Sequence, residues 1–147
     1  MTKALPNKSL VLYADDDPDD LDLVKEAFSI YAYAVDLKTF KDGVELLKEV
    51  STMDPYSPLP CLIILDINMP RMNGKEVLHR LRNMRGYENV PIVLFSTSTL
   101  PSEREFARSF GAGFITKPLY TEQIHLLIEQ MLDHCSDELQ ERLKRKR

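Results

Sequence analysis

Two apolar runs of this chain end in acids, a third in hydroxyls and a fourth in a lysine. Ser9–Ala14 runs into Asp15, Asp16 and Asp17. Leu62–Leu65 stops at Asp66. Pro91–Ser96 closes on Ser96 and Thr97, and Gly113–Thr116 is followed by Lys117 and Pro118. If the four runs are parallel strands, their ends lie on one edge of a sheet, the edge where open α/β folds bind ligands. Three carboxylates would crowd there. At ~5 Å and an effective dielectric of about 20, each like-charged pair costs on the order of 3 kcal/mol. A divalent cation relieves that repulsion. Ligands that are all oxygen, with no His or Cys among them, select Mg²⁺, with Mn²⁺ as the second candidate, over zinc. Mg²⁺ keeps room for phosphate oxygens, which makes Asp66 a candidate nucleophile toward phosphorus. Lys117 would serve as a compact positive charge beside the transferring group, and Ser96 as a hydrogen-bond donor to it.

Each residue alone has a plainer role. Asp66 suits a turn, Ser96 a strand end, Lys117 a solvated surface. Asp17 reads as the N-cap before Pro18, and Asp19 and Asp20 as first-turn acids that complement a helix dipole. Together, though, these groups close four of the five strand-like runs, which a chance distribution of turn and surface residues does not favour.

The rest of the sequence supplies elements to hold them. Leu62–Leu65 is a continuous Leu/Ile run too short for a helix, as expected of a strand buried on both faces. Strand and helix patterns alternate, which predicts α/β architecture with a parallel sheet covered on both faces. A helix opens at Pro18 with Leu21, Val24, Phe28 and Tyr31 at helical spacing. Ala34–Phe40 is the second strand. Asp42 and Glu45 form a capping pattern ahead of Val44, Leu47 and Val50, and Asn73-Gly74-Lys75-Glu76 repeats it ahead of Val77, Leu78, Leu81 and Met84. Ser51–Pro60, with three prolines, reads as a loop. Pro101 starts a helix with Phe106 and Phe110, and Gly111 is placed to end it. Thr121 is the expected cap of a last helix carrying Ile124, Leu127, Ile128, Met131 and Leu132. That makes five βα units over residues 9–132, preceded by an extension at 1–8. The apolar stripe continues through Cys135, Leu139 and Leu143, so 133–147 reads either as a frayed, solvated basic tail or as a helix that overhangs and pairs with a partner. Lys144-Arg145-Lys146-Arg147 would complement a helix C-terminus.

Length and composition fit one globular domain: 147 residues, 44% hydrophobic, 29% charged. A net charge of −4 argues against general nucleic-acid affinity. No apolar run reaches the ~20 residues of a membrane span, and Met1–Ser9 lacks the apolar centre of a signal peptide, so the expected location is cytoplasmic. Cys61 and Cys135 make neither a disulfide framework nor a metal set, and Cys61 reads as a small packed apolar residue. His79, His125 and His134 show no metal-ligand spacing, and His79 and His125 read as surface or boundary positions.

Four stretches, Leu-Tyr-Ala-Asp-Asp-Asp, Ile-Leu-Asp-Ile-Asn-Met-Pro-Arg-Met-Asn-Gly, Val-Leu-Phe-Ser-Thr and Phe-Ile-Thr-Lys-Pro, resemble the receiver domain of two-component response regulators over about Ser9–Leu132. The resemblance implies a doubly wound, five-stranded (βα)5 flavodoxin-like fold of strand order 2-1-3-4-5. It implies that Asp66 is the phosphoacceptor, that Asp15 and Asp16 are the acidic pair with Asp16 the direct Mg²⁺ ligand, and that Asn68 ligates metal through its backbone carbonyl. Ser96 then matches the switch hydroxyl, Lys117 the family's lysine, and Phe114 the aromatic switch position, though Phe114 equally suits plain core packing. Lys-Pro admits a cis bond at Pro118. The implied protein is a phosphoacceptor that assists its own phosphorylation and dephosphorylation rather than a turnover enzyme. Its partners would be a sensor histidine kinase or phosphotransfer protein and a downstream protein target. The short tail is similar to stand-alone receivers that partner phytochrome-type kinases, and a homodimer through the last helix is an open alternative to a monomer.

Three rival readings remain. A haloacid-dehalogenase-like phosphatase shares the Asp, Lys and Mg²⁺ but wants a second acid two positions after the nucleophile, where this chain has Asn68. A flavodoxin-like cofactor binder would need a phosphate cradle where this chain has Asp15–Asp17. A receiver kept only for docking or dimerisation would not need the acid set.

Overall fold

The computed structural model describes residues 8–54, 56–135 and 137–146. Five strands, β1 (Ser9–Ala14), β2 (Val35–Phe40), β3 (Leu62–Asp66), β4 (Ile92–Ser96) and β5 (Gly113–Thr116), pair in parallel in the order β2-β1-β3-β4-β5. The helices are α1 (Pro18–Phe28), α2 (Gly43–Thr52), α3 (Gly74–Arg82), α4 (Pro101–Ser109), α5 (Ile124–Leu132) and α6 (Asp137–Lys146). The expected doubly wound order is therefore the observed one. β3 is central and buried along its whole length, which is why it carries no polar residue before Asp66.

Alternating side chains of the strands feed two cores. Val11, Tyr13, Leu62, Ile64, Val93 and Phe95 face α1 and α5. Leu12, Ala14, Ile63, Leu65 and Leu94 face α2, α3 and α4. The register sets Ala14 beside Leu65 and Asp66 beside Phe95, so the ends of β1, β3 and β4 are nearly level. This levelling is what gathers the strand-end groups.

Several local expectations are corrected. β2 begins at Val35 rather than Ala34, and β4 at Ile92 rather than Pro91. α2 runs to Thr52, so the loop begins at Met53. Its buried residues are Gly43, Leu46 and Val50, with Val44 and Leu47 only half-buried. Asp42 caps α2 by accepting from the Glu45 N–H, but Glu45 returns its bond to the Lys41 N–H, so that box is only half closed. Asn73 and Glu76 form the complete box. Thr121 is not a helix cap: Thr121–Gln123 form a 3-10 turn that leads into α5 without a side-chain cap. No described peptide bond is cis, Lys117–Pro118 included.

The apolar face of the tail is buried against its own domain, while Asp133, His134, Glu141 and Lys144 stay exposed. The chain turns after Leu132, and α6 folds back so that Leu139 and Leu143, 0% and 2% exposed, join the core beneath α1 and α5. Gln140 Nε2 donates to the Leu132 carbonyl across that turn. Residues 1–7 of the N-terminal extension, Arg147, and the side chains of Arg145 and Lys146 lie outside what is described. Among the described residues, no helix is long and apolar enough to cross a membrane.

Candidate functional site

The end of β1 carries Asp15 into the interior, at 0% exposure. Burying a carboxylate is costly unless its oxygens are matched by donors, and here both are. Oδ2 accepts from the Tyr13 hydroxyl (2.5 Å) and from Lys117 Nζ (2.9 Å), and Oδ1 accepts from the Asp17 N–H (3.0 Å). Burial, and then the Asp15 charge beside it, push the Tyr13 phenol well above its ordinary range. Asp16 is exposed. Asp17 caps α1, its carboxylate accepting from the Asp19 N–H at 2.9 Å.

Asp66 ends β3 at 5% exposure. Its carboxyl is raised to about 7, with burial the largest cause. The Asp15 charge adds to the rise, the Lys117 charge and hydrogen bond oppose it, and Asp16 adds a smaller push. Lys117 Nζ is 3.3 Å from Asp66 Oδ1. Its backbone is fixed, because the Lys117 N–H donates to the Ser96 carbonyl at 2.7 Å and so extends the β4–β5 pairing by one residue. Burial alone would depress the Lys117 ammonium. Its hydrogen bonds to Asp20 (2.7 Å) and Asp15 and the charge of Asp66 outweigh that and hold it above its ordinary range.

Asp15, Asp16 and Asp66 each bring a carboxylate oxygen within 4.8 Å of the others. That donor set fits a hard, oxygen-seeking divalent cation. Asp15 is already held by protein donors, so exposed Asp16 and the strand-end Asp66 are the carboxylates with ligating capacity to spare. Asn68 sits exposed two residues beyond Asp66, where the β3–α3 loop begins.

That loop is held from both ends. Gly74, the first residue of α3, donates its N–H to the Ile67 carbonyl at 2.8 Å. A Cβ at Gly74 would stand 2.2 Å from the Asp66 carbonyl oxygen, so only glycine lets α3 approach β3 this closely. Arg71 adopts φ +66°, unfavourable for a side-chain-bearing residue, and its guanidinium pairs with Asp42 at 2.5 Å. Burial raises the Asp42 carboxyl, but its hydrogen bonds from Arg71 and the Glu45 N–H outweigh that and leave it below its ordinary value.

Ser96 is fully buried at the end of β4, its Oγ accepting from the Ser98 N–H at 3.1 Å. Thr97 is exposed just past it. Phe114 lies on the α4 side of β5, half-buried, with the Arg104 guanidinium 4.8 Å from its ring centre. Arg104 also donates to Thr116 Oγ1 at 3.2 Å. The structure thus gathers Asp15, Asp16, Asp66 and Lys117, sets Ser96 at the same edge, and places Phe114 and Thr97 outside the carboxylate cluster.

Asp20, Tyr13 and Arg104 enter as contacts that sequence reasoning missed. Asp20 reads as a dipole-complementing acid, yet it shares Lys117 with Asp15. The available signal was its place in the first turn of a helix that starts at the site edge. Tyr13 reads as an ordinary strand residue. Its position two before Asp15, on the same face of β1, was the clue.

Comparison with known proteins accords with this geometry. The response regulator receiver domain model matches residues 11–129. The sensor protein EvgS of Escherichia coli is 34% identical over 128 residues, 86% of this chain but 10% of EvgS. Response regulator Rcp1 of Synechocystis is 30% identical over 91 residues, 60% of this chain and 62% of Rcp1, and a solved structure is of its Mn²⁺-bound form (TM-score 0.75, 23% identity, 85% of this chain and 92% of that one). The phosphorylated cyanobacterial phytochrome response regulator RcpA has the same fold, with TM-score 0.78 and 23% identity over 86% of this chain and 93% of that one. This chain, with its levelled strand ends and buried acid–lysine cluster, belongs to the response regulator receiver domain family.

Proposed function

We propose that this protein is a phosphoacceptor in a two-component relay, taking a phosphoryl group from a phosphohistidine onto Asp66. The observation that carries the reading is the joint placement of Asp15, Asp16 and Asp66 within 4.8 Å, with Lys117 Nζ 3.3 Å from Asp66. An oxygen of Asp66 forms the new bond to phosphorus. The phosphorus–nitrogen bond to the donor imidazole breaks, and the electron pair returns to the ring. Lys117 offsets charge on the transferring oxygens. A bound Mg²⁺, or Mn²⁺, held by Asp16, Asp66 and the Asn68 carbonyl with Asp15 behind them, would supply further neutralisation of that charge.

Ser96 keeps a proton to donate to a phosphoryl oxygen. Drawing Ser96 toward Asp66 would open space along β4 and β5, with Phe114 and Thr97 as the responding positions. The surface of α4 and β5 then passes the signal to a downstream protein. A cytoplasmic sensor kinase is the donor in this reading. The name RcpA bears makes a phytochrome-type kinase the first donor to try.

The test is intact mass after incubation with acetyl phosphate. The wild type should gain about 80 Da with Mg²⁺, none with a chelator, and Asp66→Ala should gain none. No gain in the wild type would leave a docking module. Continuous release of phosphate from esters would favour a phosphatase.

A further inference from the structure

Cys61 and Cys135, the chain's two cysteines, lie 74 residues apart in sequence with their Sγ atoms 2.9 Å apart. That is closer than unbonded sulfurs normally approach and short of the ~2.05 Å of a disulfide. Cys61 directly precedes β3, at the edge of the sheet opposite the carboxylate cluster, and its N–H is fixed on the Leu10 carbonyl at 2.8 Å. Cys135 follows α5, its N–H on the Leu132 carbonyl at 3.0 Å, buried in the core that takes Leu139 and Leu143. The two thiols therefore face each other where the sheet meets the α5–α6 connection. Both line an open cavity of about 950 Å³ with Ser9, Asp36, Lys38 and His134, and Cys61 is only half-buried, so a small oxidant can reach it.

We propose that Cys61 and Cys135 are a peroxide-sensitive dithiol that closes to a disulfide and fastens the α5–α6 connection to the sheet. Cys61 is the attacking group. It is the half-buried member of the pair and opens to the cavity, whereas Cys135 is buried; the two thiols share one hydrogen bond in which either sulfur can donate. The Cys61 thiolate attacks one oxygen of hydrogen peroxide; a sulfur–oxygen bond forms, the oxygen–oxygen bond breaks, and hydroxide leaves. Cys135 sulfur then attacks Cys61 sulfur. The sulfur–sulfur bond forms, hydroxide leaves with the proton from Cys135, and the sum is two thiols oxidised and one peroxide reduced to two waters. A dithiol reductant reverses it by exchange. The pair is remote from Asp66, so it stands whether or not Asp66 accepts a phosphoryl group.

The test uses the reduced full chain, hydrogen peroxide near neutral pH, an alkylating quench and peptide mapping. The wild type should lose about 2 Da, resist alkylation, yield a Cys61–Cys135 linked peptide and revert with dithiothreitol. Cys135→Ser should gain about 16 Da at Cys61, captured by dimedone, and Cys61→Ser should gain nothing at the same dose. The oxidised wild type should melt on the order of 5–10 °C above the reduced form. Two alkylatable thiols after peroxide, a link only between two chains, or separate sulfinic acids would overturn the dithiol. Equal melting temperatures would overturn the fastening. If either serine variant fails to fold, the wild-type peptide map decides alone.

Discussion

Lys117 Nζ stands among Asp15, Asp20 and Asp66, at 2.9, 2.7 and 3.3 Å. Removing it leaves buried carboxylates without their counter-charge. Lys117→Ala should cost about 3–5 kcal/mol of stability in chelator, read by urea unfolding, and should abolish the mass gain from acetyl phosphate. A variant as stable as the wild type would show that Lys117 does not hold the cluster together. Asp66 carries the opposite burden. Its folded carboxyl is raised to about 7, above its unfolded value, so between about pH 4 and pH 7 the folded state holds the extra proton. Stability of the chelated protein should therefore fall as pH rises through that window and stay low above it. Asp66→Asn removes the charge and should stabilise the chelated protein at pH 8 by on the order of 2–4 kcal/mol, with little effect at pH 4. Equal stabilisation at both values would contradict the assigned cause.

At the scale of elements, β3 and β4 were legible because a strand buried on both faces has one readable form, an unbroken apolar run stopped by a polar residue, and the others because short β-rich runs alternate with helical patterns. Ser9–Ala14 and Gly113–Thr116 match the observed strands to the residue, and the rest differ by one. The Asn73–Glu76 box was legible for a similar reason, since its bonds are local. Gly74 is only half legible. Sequence places it at a helix start, but its contact with the Asp66 carbonyl depends on how α3 meets β3. Gly74→Ala should cost about 1–3 kcal/mol and, on the proposed function, disturb phosphorylation, because the displaced carbonyl belongs to Asp66, the proposed phosphoacceptor. Gly111→Ala has open space around it but φ +66°, so it should cost about 1–2 kcal/mol and leave phosphorylation unchanged. Urea unfolding and the acetyl phosphate reaction, run on both variants, separate close approach from backbone strain. The Thr121 cap misled because a hydroxyl before an apolar run does not distinguish a helix start from a 3-10 turn.

For the molecule as a whole, α6 decides what the tail does. Cys135, Leu139 and Leu143 keep the spacing of α5, and no Gly or Pro marks the break, so the sequence leaves a frayed tail and one long helix as its two readings. Burial of Leu139 and Leu143 in the α1–α5 core is what the bent chain gains. The apolar face read as a dimer stripe is thus covered by its own domain. Leu139→Ala should cost about 2–5 kcal/mol, as a buried core leucine does. It should leave the sedimentation coefficient unchanged. A loss of dimer with little loss of stability would restore the overhanging helix. The pairing of Asp20 with Lys117 was hard to read for the same reason at smaller scale, since it depends on how α1 and β5 sit against β1, whereas the Tyr13–Asp15 contact is local to the end of β1.

The most direct test of the acid–lysine cluster is chemical. Protein treated with acetyl phosphate and Mg²⁺ is reduced with borohydride, which converts an acyl phosphate to homoserine, and the peptides are sequenced. Homoserine at position 66, and there alone, is the predicted result. Homoserine at position 15, 16 or 20, or an unmodified Asp66 in protein that has gained phosphate, would contradict it.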